Sequence, residues 1–280
     1  MTTRGLAVVT GASTGIGKAT AEHLAQAGFH VLAGVRSDAA AAAVAAEGIE
    51  PVSLDIADPD QIGALAQRVA DDPEGRPLRV LVNNAGIAVN APVEVIPLDE
   101  WRRQFEINLF GHIAMIQALL PALIAGRGRI VNVSSIGGLV AGPTYGAYSG
   151  SKFALEAVSD ALRRELRHLG VEVVVVEPGA IATPIWQKGL ATGQQLAETM
   201  TPEQRARYQE INAAAARNAQ QAARDGVPPE QVARVIETAV TARRPRTRYL
   251  VGRDAKVTAR LAALLPDRVM DRLAAGTGPA

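Results

Sequence analysis

The chain has 280 residues, 48% of them hydrophobic and 20% charged, with a formal net charge of +1. So much apolar material with so little net charge excludes a disordered chain, and the charge balance calls for neither nucleic acid nor an acidic partner. Cysteine is absent, and His23, His30, His112 and His168 are scattered without ligand spacing, so disulfides and thiolate chemistry are excluded and no metal site is expected.

In chain order, Leu6 to Thr10 is a short apolar run that predicts a buried strand. A glycine-rich turn follows over Gly11 to Gly17, then a helix over Lys18 to Ala27 that stops at Gly28. His30 to Val35 reads as a second strand, Ala39 to Glu47 as an alanine-rich helix, and Pro51 to Asp55 as a third strand. Asp58 is the expected N-cap of a helix reaching Ala70. Residues 71–77 form a Pro-, Gly- and Asp-rich loop before a strand over Val80 to Asn83. A long helix spans Trp101 to Ala125, with a bend expected before Pro121. Arg129 to Ser134 is a strand, Tyr145 to His168 a helix and Val171 to Glu177 a strand.

The alternation predicts an α/β fold: a doubly wound, Rossmann-type parallel sheet of about seven strands with helices on both faces. Past Pro178-Gly179 the rhythm breaks. Residues 186–226 are polar and rich in Ala and Gln, and predict two helices over a cleft, a substrate lid. A helix over Pro228 to Ala242 and a last strand over Thr247 to Val251 complete the domain. Residues 254–280 form a helical extension broken at Pro266. No linker divides the chain, so 1–280 is read as one domain.

The run from Ile107 to Gly126 is long enough to cross a bilayer, but Asn108, His112, Gln117 and Pro121 interrupt it. It is read as a buried helix of a soluble protein, with no transmembrane segment. The N-terminus leads straight into the glycine motif and does not resemble a signal peptide, so a cytoplasmic protein is expected.

Three places carry chemistry. Gly11, Ser13, Thr14, Gly15, Ile16 and Gly17 lie between a strand and a helix, where glycines let the backbone approach a pyrophosphate at a helix N-terminus. The second strand ends in Val35-Arg36-Ser37, where an NAD site usually carries a carboxylate for the ribose 2′-OH. Arg36 suits a 2′-phosphate, with Ser13 assisting, so NADP(H) is expected in preference to NAD(H). Tyr148 and Lys152 stand one helical turn apart on one face. A neighbouring ammonium and a cationic nicotinamide would favour the phenolate, bringing Tyr148 toward working pH as a proton donor or acceptor.

With Asn83-Asn84-Ala85-Gly86, Asn108-Leu109-Phe110-Gly111, Asn132-Val133-Ser134-Ser135 and Pro178-Gly179, these motifs resemble, in order, the short-chain dehydrogenase/reductase family along essentially the whole chain. The resemblance implies that Tyr148 is the acid/base, that Lys152 binds the nicotinamide ribose and depresses the tyrosine pKa, and that Ser135 rather than Ser134 orients the substrate oxygen. It implies that Asn108 anchors a water in a proton relay and that Asp55 and Ile56 contact adenine. Asn84, Ala85 and Gly86 would flank the adenosine side, and Pro178, Gly179, Ile181 and Thr183 would fix the nicotinamide carboxamide. Residues 31–36, 177–186 and 249–256 are similar to the branch of 17β-hydroxysteroid and retinol dehydrogenases, which implies a lipophilic ketone or alcohol as substrate.

The resemblance also implies a homodimer or homotetramer, joined through the helices around 107–125 and 145–168. Two further readings are a catalytically silent NADP(H)-sensing regulator and an epimerase or dehydratase on the same fold. The presence of both Tyr148 and Lys152 opposes the first, and the chain length and glycine spacing oppose the second. The basic run Arg243 to Arg248 lacks interleaved aromatics and is read as a solvated turn rather than a nucleic-acid site.

Overall fold

The computed structural model describes residues 4–275. The last five residues of the expected C-terminal extension, 276–280, lie outside the described residues. Seven parallel strands form one sheet in the order β3-β2-β1-β4-β5-β6-β7. They are β1 (Leu6–Val9), β2 (His30–Val35), β3 (Ile49–Ser53), β4 (Leu78–Asn83), β5 (Arg129–Val133), β6 (Glu172–Pro178) and β7 (Arg248–Val251). The order reverses between β1 and β4. At such a switch point the chains leave the two strands in opposite directions and a crevice opens beyond their carboxyl ends.

Strand side chains alternate between faces. Ala7 and Val9 meet Leu24 of α1 (Gly15–Gln26) and Val232 and Ile236 of α9 (Pro229–Thr241) in one apolar cluster. Leu6 and Val8 join a second cluster with Ile62 and Leu65 of α3 (Pro59–Ala70) and Met115, Leu119 and Leu123 of α5 (Gly111–Gly126). Both faces are thus covered, as continuous apolar parallel strands require. The α3 start is as expected, with the Asp58 carboxylate accepting from the N–H groups of Asp60 and Gln61.

Three local features differ from expectation. The alanine-rich helix α2 (Asp38–Val44) stops early, and β3 begins at Ile49, two residues before Pro51. Only Val44 of α2 is buried, so alanine propensity has no packing to reinforce it. The chain instead turns back through Gly48, at φ +77°, into the edge strand. Pro51 is tolerated there because an edge strand leaves one side unpaired.

The long helix is the second difference. It comprises α4 (Leu98–Phe105), a π-helical turn over Glu106–Phe110, and α5, which continues through Pro121. By length and composition Leu98–Gly126 could cross a membrane; here α5 packs along β4 and α3. Third, α6 (Gly146–Leu166) runs on into a single 3-10 turn over Arg167–Leu169.

Beyond β6 lie α7 (Ile185–Glu198) and α8 (Pro202–Asp225), the latter opened by a capping box between Thr201 and Gln204. Glu94, in the loop before α4, accepts from Arg207 and Tyr208 of α8 at 2.6 and 2.7 Å and so ties that helix to the loop. The chain ends in α10 (Arg253–Leu264) and α11 (Asp267–Ala275). Leu123, fully buried between α5 and the sheet, tests this packing: Leu123→Ala should cost about 2–5 kcal/mol. A denaturant midpoint unchanged from the parent would contradict the arrangement.

Candidate active site

The carboxyl edge of the sheet assembles most of the sequence-flagged residues. Gly11 (φ +64°) and Gly15 (φ +56°) take left-handed backbone that glycine adopts freely. A Cβ on Gly17 would stand 2.2 Å from the Gly11 carbonyl oxygen, and one on Gly15 would meet Thr183 at 3.0 Å. The turn is therefore closed against its own helix and against the loop after β6. No side chain caps α1, which leaves its first N–H groups directed at the crevice. This cradle, which a side chain would fill, fits a dinucleotide pyrophosphate.

Two residues after β4 hold the turn in place from behind. The Thr10 hydroxyl accepts from the N–H groups of Asn84 and Ala85, both at 2.9 Å. The Asn84 amide donates to the carbonyls of Thr10 and Gly11 at 2.9 and 3.2 Å. The Asn84 side chain thus faces the glycine turn, while Gly86 is exposed. Arg36 is exposed at the end of β2 and lies 3.7 Å from Asp55. That loose pair leaves the guanidinium available to a phosphate. The Asp55 carboxylate also accepts from the Ala57 N–H at 3.1 Å. Ile56 is buried in the second core cluster, packed by its carbonyl and side chain against Gly111 at the start of α5.

On the other side, the first turns of α6 carry Tyr148 and Lys152. Lys152 is buried, and its ammonium donates to the Val133 carbonyl at 2.9 Å. Burial brings its pKa down to about 8, opposed by Glu156 one turn further along α6. The Tyr148 pKa is raised by burial, with the Ser135 hydroxyl opposing. The expected depression counts a bound cationic nicotinamide; in the protein alone, desolvation outweighs the help the phenolate receives from Ser135. Ser135 also accepts from the Gly137 N–H at 3.0 Å. A Cβ on Gly137 would press on the Tyr148 ring at 3.0 Å, so the phenol needs a glycine beneath it.

Asn108 sits in the π turn and is fully buried. Its amide accepts from the Ile87 N–H at 2.9 Å and donates to the Ile87 carbonyl and the Ser151 hydroxyl at 3.0 and 3.1 Å. Gln104, one turn earlier, repeats the pattern on Ile87 and Val89 at 2.7 and 2.8 Å. Together they moor residues 87–89 beside the catalytic edge. Gln104 had no motif to flag it; only its i, i+4 relation to Asn108 hints at the shared task.

The loop after β6 is clamped from three sides. Trp186 donates to the Ile181 carbonyl at 2.6 Å, Ala182 donates to the Val227 carbonyl at 3.0 Å, and the Ala180 N–H donates to the Asp254 carboxylate at 2.7 Å. That carboxylate fills the space a Cβ on Gly179 would need, at 2.1 Å. Pro178 and Ile181 are buried, and Thr183 reaches the glycine turn. The Asp254 contact spans 74 residues and has no local sequence signal.

Two buried titratable groups escaped the sequence reading. His112 donates from Nε2 to the Ala85 carbonyl at 2.7 Å. Burial and the Lys152 charge bring its pKa down to about 3, so the ring is neutral. Glu177, beneath the α6 helix, shares Arg248 with Glu156 and Asp160, at 3.2, 3.0 and 3.1 Å. Burial first, then the Glu156 charge, raises the Glu177 carboxyl to about 7.

A family model for short chain dehydrogenase matches residues 5–194. A 3-amino-tetrahydro-pyrrolizinone reductase of Xenorhabdus hominickii is 40% identical over 91% of this chain and 89% of its own length. An NADPH-dependent 3-dehydrocapnine reductase of Ornithobacterium rhinotracheale is 35% identical over 95% of both chains. Retinol dehydrogenase 5 of Mus musculus is 36% identical over 94% of this chain and 85% of its own. Among solved structures, a Burkholderia cenocepacia short chain dehydrogenase in complex with NADP aligns with a TM-score of 0.75 at 26% identity, covering 97% of this chain and 98% of that one. A Burkholderia phymatum short chain dehydrogenase/reductase in complex with NAD aligns at 0.79 and 25%, covering 92% of each. The chain belongs to the short-chain dehydrogenase/reductase family, and is a NAD(P)-dependent oxidoreductase acting on CH–OH or C=O groups.

The raised Glu177 pKa has a measurable sign. Between about pH 4.5, its ordinary value, and about 7, the folded state binds a proton that the unfolded chain does not, so stability falls as pH rises through that window. Glu177→Gln should flatten that fall and be more stable than the parent at pH 8. Urea midpoints at pH 5 and pH 8 that shift equally in both proteins would contradict it.

Proposed function

We propose that the chain is an NADP(H)-dependent enzyme that interconverts a lipophilic ketone and its alcohol, or an aldehyde and a primary alcohol, with Tyr148 as the proton donor or acceptor. One observation carries this reading: the phenol of Tyr148, the hydroxyl of Ser135 and the buried ammonium of Lys152 lie together at the sheet's carboxyl edge, beside the uncapped glycine turn. When bound, the nicotinamide supplies or accepts the hydride. The protein's own residues hold the substrate oxygen and move the matching proton.

In the reducing direction Tyr148 gives its phenolic proton to the carbonyl oxygen while Ser135 holds that oxygen in place. A phenolate left behind is stabilised by the Lys152 ammonium one turn away and recovers a proton from solvent. Burial keeps the phenol protonated and ready to donate. The amide of Asn108 is saturated by Ile87 and Ser151, so a relay water at this residue is held by its backbone. Gly11 to Gly17 receive the pyrophosphate, Ala85 and Gly86 border the adenosine side with Asp55 and the backbone of Ile56, and Pro178, Gly179, Ile181 and Thr183 receive the carboxamide.

Arg36, with Ser13 beside it, favours the 2′-phosphate of NADP(H). The NADPH-dependent relative supports this preference, although family structures hold either dinucleotide. The helical pair α7–α8 serves as the substrate lid, and the retinol dehydrogenase relatives support a lipophilic substrate. A homodimer or homotetramer in the cytoplasm completes the reading, with Phe110 and Phe153, both about half exposed, on the joining helices.

Tyr148→Phe should lower kcat about 10²–10⁴-fold and leave NADPH affinity intact, because only the transferable proton is lost. Substantial turnover by this variant in a panel of steroid, retinoid and aromatic ketones would remove Tyr148 from the reaction. Arg36→Asp exchanges a phosphate partner for a ribose partner. The ratio of kcat/KM for NADPH over NADH should fall by about tenfold or more, the worth of a charge-assisted hydrogen bond; an unchanged ratio would refute the assignment.

A further inference from the structure

We propose that the cleft at the amino edge of the sheet, opposite the catalytic edge, is a binding site for a small phosphorylated or otherwise polyanionic ligand. The cleft has a volume of about 400 Å³, within the range of small-molecule sites. Four arginines line it: Arg4 ahead of β1, Arg79 in β4, Arg127 between α5 and β5, and Arg129 at the start of β5. Phe29 and Val80 form an apolar floor.

The charge here is not balanced from within. Arg129 pairs with Glu172, but among the described residues Arg4, Arg79 and Arg127 have no carboxylate within ion-pair distance. Arg79 and Arg129 are nevertheless fixed. Arg79 donates to the Gly126 carbonyl at 2.5 Å, and Arg129 donates to the carbonyls of Val240 and Ala242 at 2.7 and 3.1 Å. Carbonyls hold the direction of a guanidinium without neutralising it. Arg4, Arg79 and Arg127 reach solvent, and with Arg129 they border one small volume in which Glu172 is the one paired carboxylate among the described residues, so the cleft carries a net positive field that an anion would relieve.

Arg127 makes a second, independent point. Its backbone is left-handed, at φ +47°, and it occupies the C-cap of α5. Glycine takes that conformation without strain and is the usual residue at such a helix end. An arginine there costs conformational energy and supplies charge to the cleft, and strain of this kind clusters at binding sites. The volume is too small for a nucleic-acid strand, and the one aromatic lining residue, Phe29, is buried rather than presented for stacking. Guanidinium groups match phosphate oxygens in pairs, which makes phosphate the fitting chemistry.

The proposal stands apart from the dinucleotide reading, and the test separates the two. Inorganic triphosphate is titrated calorimetrically into the full chain, and into Arg127→Gly, Arg4→Gln and Arg36→Asp, at low and at physiological salt. The parent should bind saturably and more weakly at higher salt. Arg127→Gly and Arg4→Gln should each lose about tenfold or more in affinity, while Arg36→Asp retains it. Arg127→Gly suits the backbone, so its melting temperature should not fall, and lost binding cannot then be put down to lost folding. Absence of saturable binding to the parent, parental affinity in both cleft variants, or loss confined to Arg36→Asp would each overturn the proposal, the last by placing the anion in the dinucleotide crevice.

Discussion

A chain of buried amides fixes where the catalytic helix lies on the sheet. Asn83, the last residue of β4, donates to the side chain of Asn132 in β5 at 3.0 Å, and Asn132 donates to the Ser159 hydroxyl of α6 at 2.8 Å. All three residues are essentially without solvent contact. A buried amide that loses its partner costs about 1–3 kcal/mol, so this chain permits one rotation and one height of α6 against β4 and β5 and penalises the rest. Apolar packing alone would leave the helix free to slide by fractions of a turn. With it fixed, Lys152 meets the Val133 carbonyl and Tyr148 faces Ser135, two residues past the ladder that Asn132 belongs to.

Electrostatics at that helix follow from the same burial. Lys152 is taken out of water with a neutral carbonyl for its hydrogen bond, and Glu156 one turn on supplies the opposing charge. Glu156 itself is buried and shares Arg248 with Glu177 and Asp160. Three carboxylates around one guanidinium would leave net negative charge in a dry region. The raised Glu177 pKa is the physical response: one carboxyl keeps its proton into the neutral range. The ammonium therefore rests on a balanced ion cluster anchored to the last strand, which connects β7, remote in sequence, to the electrostatics of the catalytic turn.

The sequence made the sheet legible because its signals are local. Continuous apolar runs mark strands buried on both faces, Asp58 is positioned to cap α3, and glycines stand where the backbone goes left-handed at Gly11 and Gly15. The family motifs then name Tyr148, Lys152 and Ser135, and the structure brings these three together. What stayed hidden has long sequence separation or no side-chain signature. The π turn around Asn108 is a backbone event within an unbroken apolar run, so periodicity reads it as plain helix. The Asp254 contact with Ala180, the Glu177–Arg248 cluster and the Gln104 mooring each join residues whose proximity exists only after folding. The depth of Tyr148 was hidden for a different reason: the Tyr–Lys spacing gives the charge partner, but desolvation depends on how deep the turn sits.

The two ends of the sheet carry opposite solutions to the placing of charge. At the carboxyl end, the crevice is bordered mainly by glycines, backbone N–H groups and hydroxyls held by Thr10, Asn84 and Asn108, with the exposed Arg36–Asp55 pair at its rim. Reacting groups there can be kept within fractions of an ångström because each is moored to backbone. At the amino end, Arg79 and Arg129 stand on β4 and β5, the same two strands whose far ends lead to Asn84 and Ser135. The amide bridge from Asn83 to Asn132 ties the same two strands together at their carboxyl ends.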